Sequence, residues 1–245
     1  MNYIAKSNTI IFSPYFNKEI NNELISSYTE LIFSDYELDE KYFSSYRSIR
    51  NIQHRIRHIG SMFNKELNNL PSNIVRLKIG NNFNKSIDNL PVQLNSLIIK
   101  GVFNQEINNL PPNLEFLLLD GYFNQKIDNL PCKLTYLYLG SRFNQNVDNL
   151  PSGLTYLFLG FNFNQAIDNL PTSIKAVIFN QHCSYFKELN CLPKFVEVLQ
   201  LPYHYSNKIS QIPTGLKRII CSRNYKYIDD FANYNVSSSY IDLTH

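Results

Sequence analysis

The chain has 245 residues, with 23 Lys and Arg against 20 Asp and Glu for a formal charge of +3, which argues against nucleic-acid binding through a strongly basic face. At 44% hydrophobic and 18% charged residues it reads as a folded chain, long enough for one long domain or two ordinary ones. No run approaches 18 apolar residues, and the opening MNYIAKSNTIIFSPYFNKEI has no basic start followed by an apolar stretch. No membrane span, no secretory signal and a cytoplasmic location are therefore expected. Cys132, Cys183, Cys191 and Cys221 are irregularly spaced and, without an export signal, read as reduced thiols. The 33 Asn residues, beside 17 Phe, 17 Tyr and no Trp, ask for a structural use of amides.

In chain order, residues 1–62 read as an N-terminal cap. They hold one degenerate repeat, FNKEINNELISSYTELIFS from Phe16, and a short amphipathic helix near 39–52. The basic segment 41–58 contains Lys41, Arg47, Arg50, Arg55 and Arg57 without an acid between them. It reads as a solvated cap face, with steering of an acidic partner or RNA as the alternative. His54 and His58 have the i, i+4 spacing of a helical metal site but lack a third ligand, so no metal is expected.

Residues 63–182 carry six repeats. Phe63, Phe83, Phe103, Phe123, Phe143 and Phe163 recur every 20 residues, each opening a phrase such as FNQKIDNLPCKLTYLYLG. A fixed period of this length is the signature of a solenoid. Within each unit Leu134-x-x-Leu137-x-Leu139 and its equivalents alternate at period 2, which predicts a short strand. Gly80, Gly140 and Gly160 close three strands, and Gly101 and Gly121 follow one place later in others, where turns need small residues. The remainder, with Phe143, Val147, Leu150 and Pro151, is too short and too Pro-bounded for a regular helix. An extended return is predicted, with stacked coils forming one parallel sheet. Residues 183–245 continue in weaker form, with Pro193 and Pro213 twenty residues apart, and end in a cap.

Two asparagine columns run through the repeats: Asn64, Asn84, Asn104, Asn124, Asn144 and Asn164, then Asn69, Asn89, Asn109, Asn129, Asn149 and Asn169. Stacked turns leave backbone groups without strand partners, and an amide can bond its own turn and the next coil. The columns read as structural ladders, with ligand binding as the alternative. The phrase FN-x-x-IDNLP-x-x-L-x-x-L-x-L-G resembles the FNIP repeat, a leucine-rich-repeat-like unit of slime moulds and giant DNA viruses of amoebae. The likeness covers roughly 16–221. It departs from ordinary leucine-rich repeats at Asn82, Val102, Tyr122, Arg142 and Asn162, where those repeats keep one Asn. Family members often carry an N-terminal F-box that recruits a ubiquitin ligase, but no such box is legible in 1–62.

The fold class expected is a mainly β, leucine-rich-repeat-like solenoid with one short parallel strand per coil, an extended convex side and capped ends. Residues between the core leucines face the concave surface: Arg76 and Lys78; Ser96, Ile98 and Lys100; Phe116, Leu118 and Asp120; Tyr136 and Tyr138; Tyr156 and Phe158; Ala176, Ile178 and Asn180; then Glu197, Val198 and Gln200. Phe116, Leu118, Tyr136, Tyr138, Tyr156 and Phe158 would gather into an apolar patch of about 400–600 Å², near the largest a monomer usually tolerates, and they form the candidate partner-binding site. Binding of another protein, self-association as a homodimer, and plain cross-strand packing remain open. The resemblance adds a host protein or a ubiquitin-ligase component as partner, an F-box-less substrate adaptor or a virion component as role, and the host cytoplasm as location. No phosphate loop, G-x-S-x-G, Cys-x-x-Cys or H-E-x-x-H occurs. The acids Asp88, Asp128, Asp148 and Asp168 form a column, whereas a catalytic carboxylate would be unique. Neither catalysis nor a cofactor is expected.

Overall fold

The computed structural model describes residues 3–35 and 60–240. The basic segment 41–58, its two histidines and the helix expected at 39–52 lie outside them. Twelve short strands form one sheet in chain order: β1 (Tyr3–Lys6), β2 (Thr9–Phe12), β3 (Glu30–Phe33), β4 (Arg76–Ile79), β5 (Ser96–Ile99), β6 (Phe116–Leu119), β7 (Tyr136–Leu139), β8 (Tyr156–Leu159), β9 (Ala176–Phe179), β10 (Val198–Gln200), β11 (Arg218–Ile220) and β12 (Asn235–Ser237). All neighbours pair in parallel except β1, which folds back antiparallel on β2 as an N-terminal hairpin. The solenoid thus begins before the first regular repeat, at β2 and β3. Its return side is built of turns and extended chain. Among the described residues the only helical pieces are α1 (Asn22–Ile25), capped by the Asn21 side chain, and a 3-10 turn at Ile228–Phe231.

The alternation read from the sequence places Leu137 and Leu139 in the core and Tyr136 and Tyr138 on the opposite face. Register follows the period: Phe116 pairs with Tyr136, and Tyr136 with Tyr156. Each repeat proline closes the turn into the next strand, because its carbonyl accepts from the N–H three residues on, as in Leu134 N–H to Pro131 at 3.1 Å and Leu154 N–H to Pro151 at 3.0 Å. Proline's missing donor and fixed φ suit that position. Where Lys100 or Asp120 ends a coil's strand region, the following Gly101 and Gly121 adopt φ of +83° and +89°. A Cβ on Gly101 would lie 2.1 Å from the Asn81 carbonyl, so only glycine fits there.

Two columns hold the coils together. The repeat phenylalanines stack with centroids 6.0–6.2 Å apart from Phe63 to Phe163. Strands lie about 4.8 Å apart. Equivalent points that are more widely spaced on one wall than on the other require a small rotation at every coil, so the sheet is the inner wall of a curved solenoid. The column extends to Phe16, which stacks on Phe63 at 6.1 Å, and continues through Tyr185, Tyr205 and Tyr225 at 6.1–6.2 Å. Phe16 and Phe63 are adjacent in space although 47 residues apart, and Gly60 N–H donates to the Asp35 carbonyl at 2.9 Å. The extra residues are therefore spliced in after β3 without breaking the stack.

The second column is the first asparagine ladder. Asn64 Oδ1 accepts from Asn84 N–H at 3.0 Å, Asn104 Oδ1 from Asn124 N–H at 2.8 Å, and Asn124 Oδ1 from Asn144 N–H at 2.9 Å. It starts earlier than the sequence reading placed it, at Asn17, whose Oδ1 accepts from Asn64 N–H at 3.0 Å. A glutamine joins from the next coil, Gln145 Nε2 donating to Asn124 Oδ1 at 3.2 Å. The other asparagine column works differently. Asn149 and Asn169 donate through Nδ2 to Asp128 and Asp148 of the preceding coil, both at 3.1 Å, which gives the recurring acids a structural role.

Deleting one ladder amide leaves two donors without an acceptor. Asn124→Ala should cost about 1–2 kcal/mol, and Asn124→Asp, which keeps the acceptor, should cost less, as read from urea unfolding midpoints. The tyrosines of the ring column offer a matched set. Tyr205 and Tyr225 donate their hydroxyls to the carbonyls of Lys187 and Asn207 at 3.1 and 2.7 Å, whereas the Tyr185 hydroxyl is buried without a hydrogen-bond partner among the described residues. Tyr205→Phe and Tyr225→Phe should each lose about 1 kcal/mol, while Tyr185→Phe should be neutral or stabilising.

Burial also sets a pH dependence. It pushes the Cys183 thiol up from 9.0 to about 12, against the lowering by backbone hydrogen bonds at Tyr185 and Phe163. It likewise raises the hydroxyls of Tyr185, Tyr205 and Tyr225. Above pH 9 the unfolded chain loses these protons before the folded one does, so stability falls as pH rises from about 9 toward 12. The urea midpoint should drop between about pH 8 and 10.5, and Cys183→Ala, although weaker at every pH, should show the shallower drop.

Candidate functional site

The inner sheet face carries two rows of side chains set by the strand register. The first runs Arg76, Ser96, Phe116, Tyr136, Tyr156, Ala176, Val198 and Arg218, and the second Lys78, Ile98, Leu118, Tyr138, Phe158, Ile178 and Gln200. All six aromatic and leucine positions expected on this face are there, and the structure brings them together. It does not expose them equally. Tyr138 and Phe158 are only 7% exposed; with Ala176 and Ile178 they form a small second core, with Leu118, Tyr136 and Val198 packed against it. Neighbouring side chains cover one another across the strands, Tyr138 meeting Phe158 at 6.2 Å and Tyr136 leaning over Phe158 at 4.8 Å. Leu118 is partly buried. Tyr156 is 45% exposed, and Phe116 and Tyr136 are partly buried.

The exposed row is ordered by ring contacts. Phe116 stacks on Tyr136 with centroids 4.2 Å apart and 13° between planes, and Tyr136 meets Tyr156 at 6.3 Å and 38°. Tyr136 also leans on Phe158 at 4.8 Å, and its half-burial raises its hydroxyl above the ordinary tyrosine value. The row is pre-organised, so little side-chain entropy remains to be lost on docking.

Glu197 does not belong to this face as the sequence reading had it. A two-residue insertion separates Phe163 from its column successor Tyr185. Val198 and Gln200 take the inner-face positions, while Glu197 precedes β10. There its carboxylate lies between Lys175 (3.6 Å) and Lys217 (2.6 Å), and the lysine hydrogen bond and charges hold it below the usual carboxylate range.

At the other end of the face lie Arg76, Lys78 and Lys100. Arg76 is paired with Glu30 at 3.0 Å. Lys78 is partly buried, and its amine is held below the usual lysine range by burial and then by Lys100, with Asp35 acting in the opposite sense. Among the described residues no group of three or more His, Cys, Asp or Glu side chains is placed to hold a metal, and no helix is long and apolar enough to cross a membrane.

The coil geometry agrees with a known repeat. A family model described as FNIP Repeat matches residues 103–142, 123–162, 143–182 and 163–204. Together these matches span residues 103–204. No curated protein sequence matches the chain. Among solved structures the chain is similar to a giant-virus protein described as "The crystal structure of CroV588 a novel circular LRR protein structure", with a TM-score of 0.53 and 23% identity. The match covers 92% of this chain and 48% of that one, so the chain spans about half the length of that structure. The likeness is one of fold, a leucine-rich-repeat-like solenoid.

Proposed function

We propose that this chain is a non-enzymatic protein-interaction module whose partner docks on the inner sheet face over Phe116, Tyr136 and Tyr156. The FNIP coils and the leucine-rich-repeat-like fold support an interaction or structural role in general. The observation that carries the finer reading is the stacked aromatic row Phe116, Tyr136 and Tyr156 beside Tyr138 and Phe158, which are already packed. Aromatic rings of this kind supply the anchors of protein interfaces, and losing one typically weakens binding by about 2 kcal/mol. Free thiols at all four cysteines suit a reducing compartment, and the cytoplasm is the location proposed. The apolar character of the row favours self-association as the second reading.

Affinity capture with wild type and Tyr156→Ala, paired with light scattering over a concentration series, separates these readings. Interaction with another protein is expected to give a monomer and a captured protein that Tyr156→Ala loses while its melting point stays near that of wild type. Retention of the same captured protein by Tyr156→Ala would sink the assignment to this face. A dimer that Tyr156→Ala turns into a monomer would instead establish self-association.

A further inference from the structure

We propose that the inner face takes an acidic-apolar protein segment that crosses the strands, with a carboxylate between Lys78 and Lys100 and apolar side chains over Phe116, Tyr136 and Tyr156. This rests on the interaction reading above and names the partner's chemistry. Lys78 lies in the same row as Leu118 and Tyr138, and Lys100 stands just past the end of β5, so both amines border the aromatic row on one side.

Arg76, two residues before Lys78, is matched by Glu30, whereas Arg218, at the far end of the face, buries its Nε without a hydrogen-bond partner among the described residues. Among the described residues neither Lys78 nor Lys100 has a carboxylate within ion-pair distance. The acids nearest in the fold are committed to turns. Asp35 Oδ1 accepts from the N–H groups of Ser61 (2.9 Å) and Asn81 (3.1 Å), and Asp120 Oδ1 from those of Gly121 (2.7 Å) and Ser141 (3.3 Å). Two ammonium groups placed side by side in a partly buried position repel, and an incoming anion turns that repulsion into attraction.

Spacing then fixes the partner's pattern. From Phe116, Lys78 lies two strands across and two residues along, about 12 Å away, and Lys100 one strand across and four residues along, about 14 Å away. An extended chain advances about 3.3–3.6 Å per residue, so the acid should precede or follow the first apolar anchor by about three or four residues. Beyond Asp120 the margin of the face is Gly140 and Gly160, which carry no side chain to block a segment alongside Tyr138 and Phe158. Any Cβ at these glycines would lie 2.1 Å from Asp120 Oδ1 or the Gly140 carbonyl.

The test pans the purified full chain against a displayed library of random peptides. The best enriched peptide is then synthesised with a fluorophore, and its affinity is measured by anisotropy. Enriched peptides are expected to carry Asp or Glu about three or four residues from an aromatic or large aliphatic pair. Exchanging that acid for its amide should weaken binding about tenfold or more, as should the Lys78→Gln/Lys100→Gln double variant. Salt should weaken wild type but hardly affect the double variant. Because the amide exchange leaves the protein untouched, a folding defect in the lysine variant cannot mimic the result. If the amide exchange changes affinity less than about twofold while Tyr156→Ala still weakens binding, the acidic partner is wrong and the docking face stands. If no peptide is enriched, or binding ignores Tyr156→Ala, both readings fail.

Discussion

Equivalent atoms in successive coils recur at nearly constant spacing, and the side chains chosen are those that can bond their own image one coil away. An asparagine oxygen meets the next asparagine's N–H at 2.8–3.0 Å from Asn17 to Asn164, and phenylalanine meets phenylalanine. Neither bond is strong alone; a hydrogen bond contributes about 1 kcal/mol net. The interaction is repeated at every interface, however, and it pins the turns at a position where no strand ladder can reach. A chain with only eight glycines can build this many tight turns because amide side chains satisfy the turn backbone that would otherwise be left unpaired.

The same constraint shapes the candidate site. Ring spacing on the return wall exceeds strand spacing, so the sheet curves inward and its side chains crowd. Tyr138, Phe158, Ala176 and Ile178 become a second small core, and Phe116, Tyr136 and Tyr156 become a shelf of three rings beside it. Rigidity of the surface is thus inherited from the far wall of the solenoid, through the stacking of phenylalanines that no partner touches.

Much of this was legible in the sequence. The 20-residue period gave the strands, the register and the face on which each residue stands, and the asparagine column gave the ladder. The unequal exposure of Tyr156 and Tyr138 was not legible, since alternation tells inside from outside but not how far each side chain is covered by its neighbours. Glu197 was misplaced because two inserted residues shift the register locally. Asn17 was missed because 24 further residues stand between the Asp35 and Gly60 that close on each other in space. The acids at 128 and 148 were recognised as a column, but their bonding to Asn149 and Asn169 requires knowing which turns abut.

Phe16 stacks on Phe63 and Asn17 bonds Asn64 as though nothing lay between them, so each coil takes account only of its immediate neighbours. Loss or duplication of a whole 20-residue unit would bring together two surfaces already made for each other, and the near-identical phrases are the kind of sequence on which unequal recombination acts. Coil copy number is therefore a heritable variable that this architecture can change in single steps without inventing a new interface. Such a step would lengthen or shorten the arc, and with it the span of any partner it could hold.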